Sequence, residues 1–281
     1  MTKKYIKSPL NYVGGKYKLL PQIIPLFPNN IHIFVDLFGG GFNVGINVKS
    51  EHTIYNDLEN HVVELLKYLS ENNTQNLLTE IDTLIKKYNL SKENVEGFNK
   101  LRDYYNEKNN SPIVFYTMIC HAFNYQIRFN QNGKYNMPFG KNKSSFNPSL
   151  RTKFIDFVNE LHNKKCKFIN MTFEDFFDKN INHLSNNDFI YCDPPYFNSV
   201  AAYNEQNGWT ENDEKTLLQR LDQLNNKGIK FALSNNLKYE NPFLDKWKDK
   251  YNIHYLNGDY SNCNYHKIDR SKDIEVLITN Y

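Results

Sequence analysis

The chain has 281 residues, 40% of them apolar, with 20 Tyr and 20 Phe; this excludes disorder as the dominant state and suffices for one large domain or two smaller ones. No apolar run approaches the ~20 residues of a membrane span, residues 1–7 lack the apolar core of a secretory signal, and Cys120, Cys166, Cys192 and Cys263 lie far apart without a CxxC, so a cytoplasmic protein with no disulfide scaffold, no metal and no membrane is expected. The net charge of +3 is unevenly spread: residues 1–35 hold five lysines and residues 108–153 hold seven bases, with no Asp or Glu in either stretch, which fits either a face for a polyanion or a solvated loop.

In chain order, the start reads as a basic loop and a short helix over 18–27, stopped by Pro28-Asn29-Asn30. Residues 31–38 (IHIFVDLF) form a buried strand, Gly39-Gly40-Gly41 a sharp turn, 42–48 the opening of a helix, and 52–56 a second strand. Val62, Val63, Leu65, Leu66 and Leu69 place a helix over 58–70. This strand, glycine turn, helix, strand order opens a parallel α/β sheet. Helices follow over 74–88, 93–105 and 112–125, then a hairpin or ordered loop over 127–143 rich in Asn, Gly, Lys and aromatics, then a helix over 154–161. From Lys167 the α/β pattern resumes, with strands at 168–170, 188–192, 229–234, 253–256 and 274–279 and helices at 173–177, 211–225 and 242–250. The economical parse is one α/β domain in two pieces, 1–60 and 161–281, carrying a mostly helical insert at 61–160.

Two places carry chemistry. The glycine turn follows Asp36 at a strand end. It lets backbone approach a ligand closely, and the next helix start offers N–H groups. Asp57, at the end of the second strand, can accept hydrogen bonds from a ribose-like diol, and equally can cap the helix at Leu58. The stronger signal is Asp193-Pro194-Pro195-Tyr196 after an apolar strand, at the sheet edge where α/β proteins bind ligands. The prolines stiffen the segment and remove donors. A carboxylate and a Pro carbonyl can together accept both hydrogens of an exocyclic amino group, aiming its lone pair at an electrophile. Tyr196 offers a flat face for a base.

The segments Asn11-Tyr12-Val13-Gly14-Gly15-Lys16, FVDLFGGG at 34–41, Asn56-Asp57 and YCDPPY at 191–196 together resemble the Dam-like, α-group family of S-adenosylmethionine-dependent DNA adenine-N6 methyltransferases. The resemblance covers nearly the whole chain, including a closing segment from Tyr260-Ser261-Asn262 to Tyr281. It implies a Rossmann-like methyltransferase fold with a mostly helical target-recognition insert plus hairpin. It further implies cofactor binding by Tyr12, Lys16, Asp57 and Asp193, with Asp36, Phe38, Gly39 and Gly41 under the cofactor and the pair Asp175-Phe176 near its adenine. Tyr12 stands where the family commonly has Trp, and the run 173–177 could equally be plain core. The implied catalytic set is Asp193, Pro194 and Tyr196.

Within the insert, FNYQIRFNQNGKYNMPFG at 123–140 is similar to the hairpin by which this family reads DNA. Arg128 and Asn130 match its RYN element with Phe129 in place of Tyr, which implies GATC as target. Arg can pair bidentately with guanine, and Asn can pair with adenine. Phe123 would wedge into the stack, Pro138 touch a base edge, and Lys134, Lys141 and Lys143 meet phosphates. Alternatively Phe123 and Phe129 are small-core residues, and Arg128 is a phosphate contact. The expected activity is methyl transfer to a flipped adenine in double-stranded DNA by a monomer, as part of restriction-modification or another methylation role. The alternatives are a catalytically silent DNA-binding module of the same fold, or a methyltransferase acting on another amino substrate such as RNA.

Overall fold

The apolar strands are buried along both faces, and only a sheet covered on both sides satisfies that pattern. The computed structural model describes residues 5–108, 111–199, 208–256 and 274–281. The strands are β1 (Ile31–Asp36), β2 (Ser50–Asn56), β3 (Cys166–Ile169), β4 (Phe189–Cys192), β5 (Lys230–Asn236), β6 (Asn252–Leu256) and β7 (Glu275–Thr279). They form a seven-stranded sheet in the order β3-β2-β1-β4-β5-β7-β6. The neighbours from β3 through to β5 pair in parallel, and β7 runs antiparallel to both β5 and β6. This is the expected α/β methyltransferase fold. Of the expected closing segment, Tyr260 to Tyr281, the part up to residue 273 lies outside the described residues, as does Cys263, and residues 274–281, which carry β7, are described.

Alternation along the strands divides the core. Val35, Ile190, Phe231, Leu233, Val276 and Ile278 face one layer, packed by α7 (Phe173–Asn180), α8 (Glu211–Asn226) and α9 (Pro242–Trp247). Phe34, Phe189, Tyr191, Ala232 and Leu277 face the other, with Leu20 and Ile23 of the single turn α1 (Leu20–Ile23). Each buried aliphatic or aromatic side chain contributes about 1.5–3 kcal/mol. The helix expected over 18–27 is broken into 3₁₀ turns on either side of α1, because Pro21 and Pro25 withhold backbone donors.

The insert supplies α2 (Asn60–Glu71), α3 (Thr74–Lys87), α4 (Val95–Lys108), α5 (Pro112–Ile119) and α6 (Pro148–His162). Residues Ile113 to Ile119 of α5 are buried all round, so this helix is the insert's centre. The helix expected to run to Tyr125 stops at Ile119, and left-handed Asn124 (φ 53°) and Tyr125 (φ 57°) turn the chain into the hairpin. The insert's core is continuous with Leu10, Phe42, Ile46 and Tyr55, so the insert and the β2 side of the sheet share one apolar interior.

Candidate active site

Three loops leave the carboxyl edge of β1, β2 and β4 side by side. After β1, Gly39 lies against the Tyr55 ring: a Cβ there would come within 2.2 Å of Tyr55 Cε2. Gly40 takes φ +47°, and the Tyr55 hydroxyl donates to its carbonyl at 2.8 Å. The chain then enters Phe42 at φ +61°, a left-handed conformation costly for an aromatic residue. Complete burial and an edge-on contact with Tyr55 hold it there. The helix expected over 42–48 is therefore reduced to a 3₁₀ turn, Gly45–Asn47.

Asp57 ties the loops together. One carboxylate oxygen accepts from the Gly40 N–H at 2.7 Å, the other from the Glu59 N–H at 2.9 Å. Helix α2 is capped by Glu59. The capping alternative for Asp57 is thus replaced by a bridge to the glycine turn. The N-terminal loop is laced to the following segment through Asn47, which exchanges bonds of 2.8 Å with both Ile6 N–H and Ile6 carbonyl. That lacing sets Tyr12 over the turn, 3.1 Å from where a Cβ on Gly40 would lie.

Lys16 crosses from this loop to the fourth strand. Its side chain is 3% exposed, and its ammonium lies 2.7 and 2.8 Å from the two oxygens of Asp193 and 3.0 Å from the Gly14 carbonyl. It also stands 5.1 Å from the Tyr196 ring centroid. Asp193 follows β4 with Pro194 buried behind it. Tyr196 donates its hydroxyl to Glu275 at 3.0 Å, with an Asp193 oxygen further away at 3.4 Å. Nearby, Phe38, Phe173 and Trp209 form an aromatic group with centroid separations of 5.5–5.8 Å.

The hairpin lies beyond α5. Bridges Ala122↔Phe139 and Phe129↔Tyr135 close it, and Gly133 (φ 69°) turns its tip. Phe123 is 45% exposed. Arg128, Lys134, Pro138, Lys141 and Lys143 are exposed along the same segment, and Asn130 is partly buried. Arg128 donates to the side chain and carbonyl of Asn136 at 2.9 and 3.2 Å, and Asn130 accepts from the Asn132 and Lys134 N–H groups within the tip. Phe129 stacks on His61 at 4.0 Å and packs near Phe115 and Tyr135. Phe129 is therefore core, as one alternative had it, whereas the exposure of Phe123 removes the core reading there. Asn11 donates to the Asn124 carbonyl at 2.6 Å and so joins the hairpin to the loop that carries Tyr12 and Lys16.

Residues 12–262 match a family described as D12 class N6 adenine-specific DNA methyltransferase. The chain belongs to that family. It is similar to "Type II methyltransferase M.FokI" of Planomicrobium okeanokoites, 49% identical over 100% of this chain and 44% of that protein. It is also similar to "Modification methylase StsI" of Streptococcus sanguinis, 41% identical over 100% of this chain and 44% of that protein. The chain thus spans less than half the length of these curated relatives. "DNA adenine methylase" of Escherichia coli is 23% identical over 88% of this chain and 86% of that protein.

Within the family motifs two residues are turned into the interior. Asp36 is 2% exposed and turned beneath the glycine turn, where it accepts from the Gly45 N–H at 2.9 Å. Burial pushes its carboxyl up to about 8, with Asp193 and Asp57 adding repulsion. Phe176 is fully buried in the helix–sheet core, because the face of α7 that carries it points at the sheet; Asp175, one position earlier, is exposed. Trp209 and Glu275 were not anticipated. Trp209 left no signal in the sequence, but an acid opening an otherwise apolar strand is a recognisable sign for Glu275.

Burial raises the carboxyls of Asp57, Asp193 and Glu275 as well, and Lys16 offsets part of this at Asp193 and Glu275. A site with this surplus of carboxyl groups suits a cofactor bearing a sulfonium cation, and S-adenosylmethionine is the methyl donor the family implies. No helix among the described residues is long and apolar enough to cross a membrane.

Proposed function

We propose that the protein is a site-specific adenine-N6 methyltransferase of duplex DNA that uses S-adenosylmethionine. The observation that carries this reading is the Lys16–Asp193 pair: it joins the N-terminal motif to the Asp193-Pro194-Pro195-Tyr196 segment at the sheet edge, beside the glycine turn and Asp57. In this reading Tyr12, Lys16, Phe38, Gly39, Gly41, Asp57 and Asp175 hold the cofactor, which supplies an electrophilic methyl group. Asp193 and the Pro194 carbonyl accept the two amino hydrogens of a flipped-out adenine and so aim its nitrogen lone pair. Lys16 favours the carboxylate form of Asp193 against the burial that raises its carboxyl, and holds both its oxygens at 2.7 and 2.8 Å. Tyr196 gives the base a face to stack on. Positioning and a preorganised polar cage supply the acceleration.

The exposed hairpin bases support a duplex as substrate: Arg128 and Asn130 would read base edges, Phe123 and Pro138 would enter the groove, and Lys134, Lys141 and Lys143 would meet phosphates. The resemblance points to the adenine of GATC. The Asn130 oxygen is already used in the hairpin tip, which leaves its amide hydrogens for a base. The names of the relatives at 49% and 41% identity support a modification role beside a restriction activity. We assign residues 61–160 to target recognition, and 1–60 with 161–281 to catalysis by a cytoplasmic monomer.

Methylated-base sequencing of DNA from a host expressing the chain tests the reading. N6-methyladenine at one short motif is expected, with loss of more than nine-tenths of the rate in Asp193→Ala. A motif without GATC overturns the target alone. DNA binding without methylation, or methylation of RNA in preference to DNA, overturns the activity.

A further inference from the structure

An antiparallel strand in a parallel sheet delivers its first residue, rather than its last, to the edge where the parallel strands end. β7 is that strand, and its first residue is Glu275, paired with Asn236 of β5 and Leu256 of β6. Glu275 is 2% exposed, and the four residues after it are apolar or Thr and fully buried. A buried carboxylate is costly unless its oxygens are satisfied. Here each oxygen has a donor: Asn236 Nδ2 at 3.0 Å on Oε1, and the Tyr196 hydroxyl at 3.0 Å on Oε2.

Asn236 is itself fixed. Its side-chain oxygen accepts from the Lys238 N–H at 3.0 Å and the Ile274 N–H at 3.4 Å, so its amide can present only hydrogens to Glu275. Orientation passes from two backbone groups to Asn236, from Asn236 to the carboxylate plane, and from there to Tyr196. The phenol has one proton to give. At 3.0 Å against 3.4 Å it goes to Glu275 and not to Asp193, which leaves the Asp193 oxygens to Lys16 and to a substrate.

We propose that Glu275 is a positioning residue: by accepting the hydrogen bond of the Tyr196 hydroxyl it holds the ring at a fixed angle over the base site and keeps the hydroxyl away from Asp193. The role rests on the reading that Tyr196 stacks on the target adenine. Its effect belongs to the rate at saturating DNA and cofactor, and not to cofactor affinity.

The test is single-turnover methylation of a duplex carrying the motif found by sequencing, with cofactor affinity measured alongside by calorimetry. Glu275→Ala and Tyr196→Phe are each expected to lower the rate about tenfold while leaving the dissociation constant for S-adenosylmethionine within about threefold. The double variant is expected to be no slower than the slower single one, because both changes cut the same link. Should Glu275→Ala fail to fold, Tyr196→Phe removes one oxygen and no packing volume, and must alone show the tenfold loss. Single variants within twofold of wild type, or losses that multiply in the double variant, overturn the proposal. A wild-type protein that transfers no methyl group to any duplex overturns the functional reading, and this proposal with it.

Discussion

Lys16 is the residue on which most of the site leans. Removing its ammonium leaves Asp193 as an uncompensated, largely buried charge, a change that typically costs about 3–5 kcal/mol. Lys16→Ala should therefore lower stability in urea denaturation and raise the Michaelis constant for S-adenosylmethionine more than that for DNA. Asp57→Ala should shift the same constant, since it unties the glycine turn from the second strand. Asp36 makes a separate prediction in pH. Its carboxyl is raised from 3.8 to about 8, so the folded protein keeps a proton that the unfolded chain has released. Stability is thus highest with respect to this group below pH 4. It falls by up to ~1.4 kcal/mol per unit as pH rises toward 8, and no further above that. Asp36→Asn keeps an oxygen for the Gly45 N–H and should flatten that decline in chemical denaturation at pH 5, 6.5 and 8.

At the level of elements, the turn after β1 and the hairpin after α5 make opposite demands. The turn tolerates nothing: Gly39→Ala would drive a methyl into the Tyr55 ring, and a destabilisation of about 1–3 kcal/mol is expected by thermal unfolding. The hairpin is a surface on which charge can be removed without harm to the fold. Lys141→Ala and Lys143→Ala should each weaken binding to all DNA sequences alike and lower the salt slope by about 1, whereas Arg128→Ala should relax discrimination at one base pair. The strands and Asp193-Pro194-Pro195-Tyr196 were legible because buried strands and proline-stiffened edges write themselves in short, local patterns. The break in the helix at 18–27 was legible only in retrospect, through Pro21 and Pro25. The burial of Phe176 was one of two readings left open for the run 173–177, and the acid that opens β7 marked Glu275 as unusual; the inward turn of Asp36 and the meeting of Glu275 with Tyr196 were not legible, because each depends on which side of a distant element meets it. Phe129 shows the same limit: its partner His61 is 68 residues away in the chain, and no local pattern names it.

Taken whole, the protein has an insert that shares its interior with the sheet. Deleting 61–160 would expose Phe42 and Tyr55, so chemical denaturation should show one cooperative transition by both tryptophan fluorescence and far-ultraviolet circular dichroism; two separate transitions would argue for independent domains. The strand order has a consequence in time. β1 and β2 are neighbours in the chain, but β1 meets β4 only across a separation of about 155 residues, and Lys16 meets Asp193 across 177. The helices of the insert meet one another across shorter separations, the longest between α2 and α6, and can pair before such distant partners find one another. β7 must then slide between β5 and β6 to bring Glu275 to Tyr196, and in chain order it follows every other described strand. A growing or shortened chain that ends before Glu275 would leave Tyr196 without its carboxylate partner, so on the proposed reading it could sit on DNA before it could mark it.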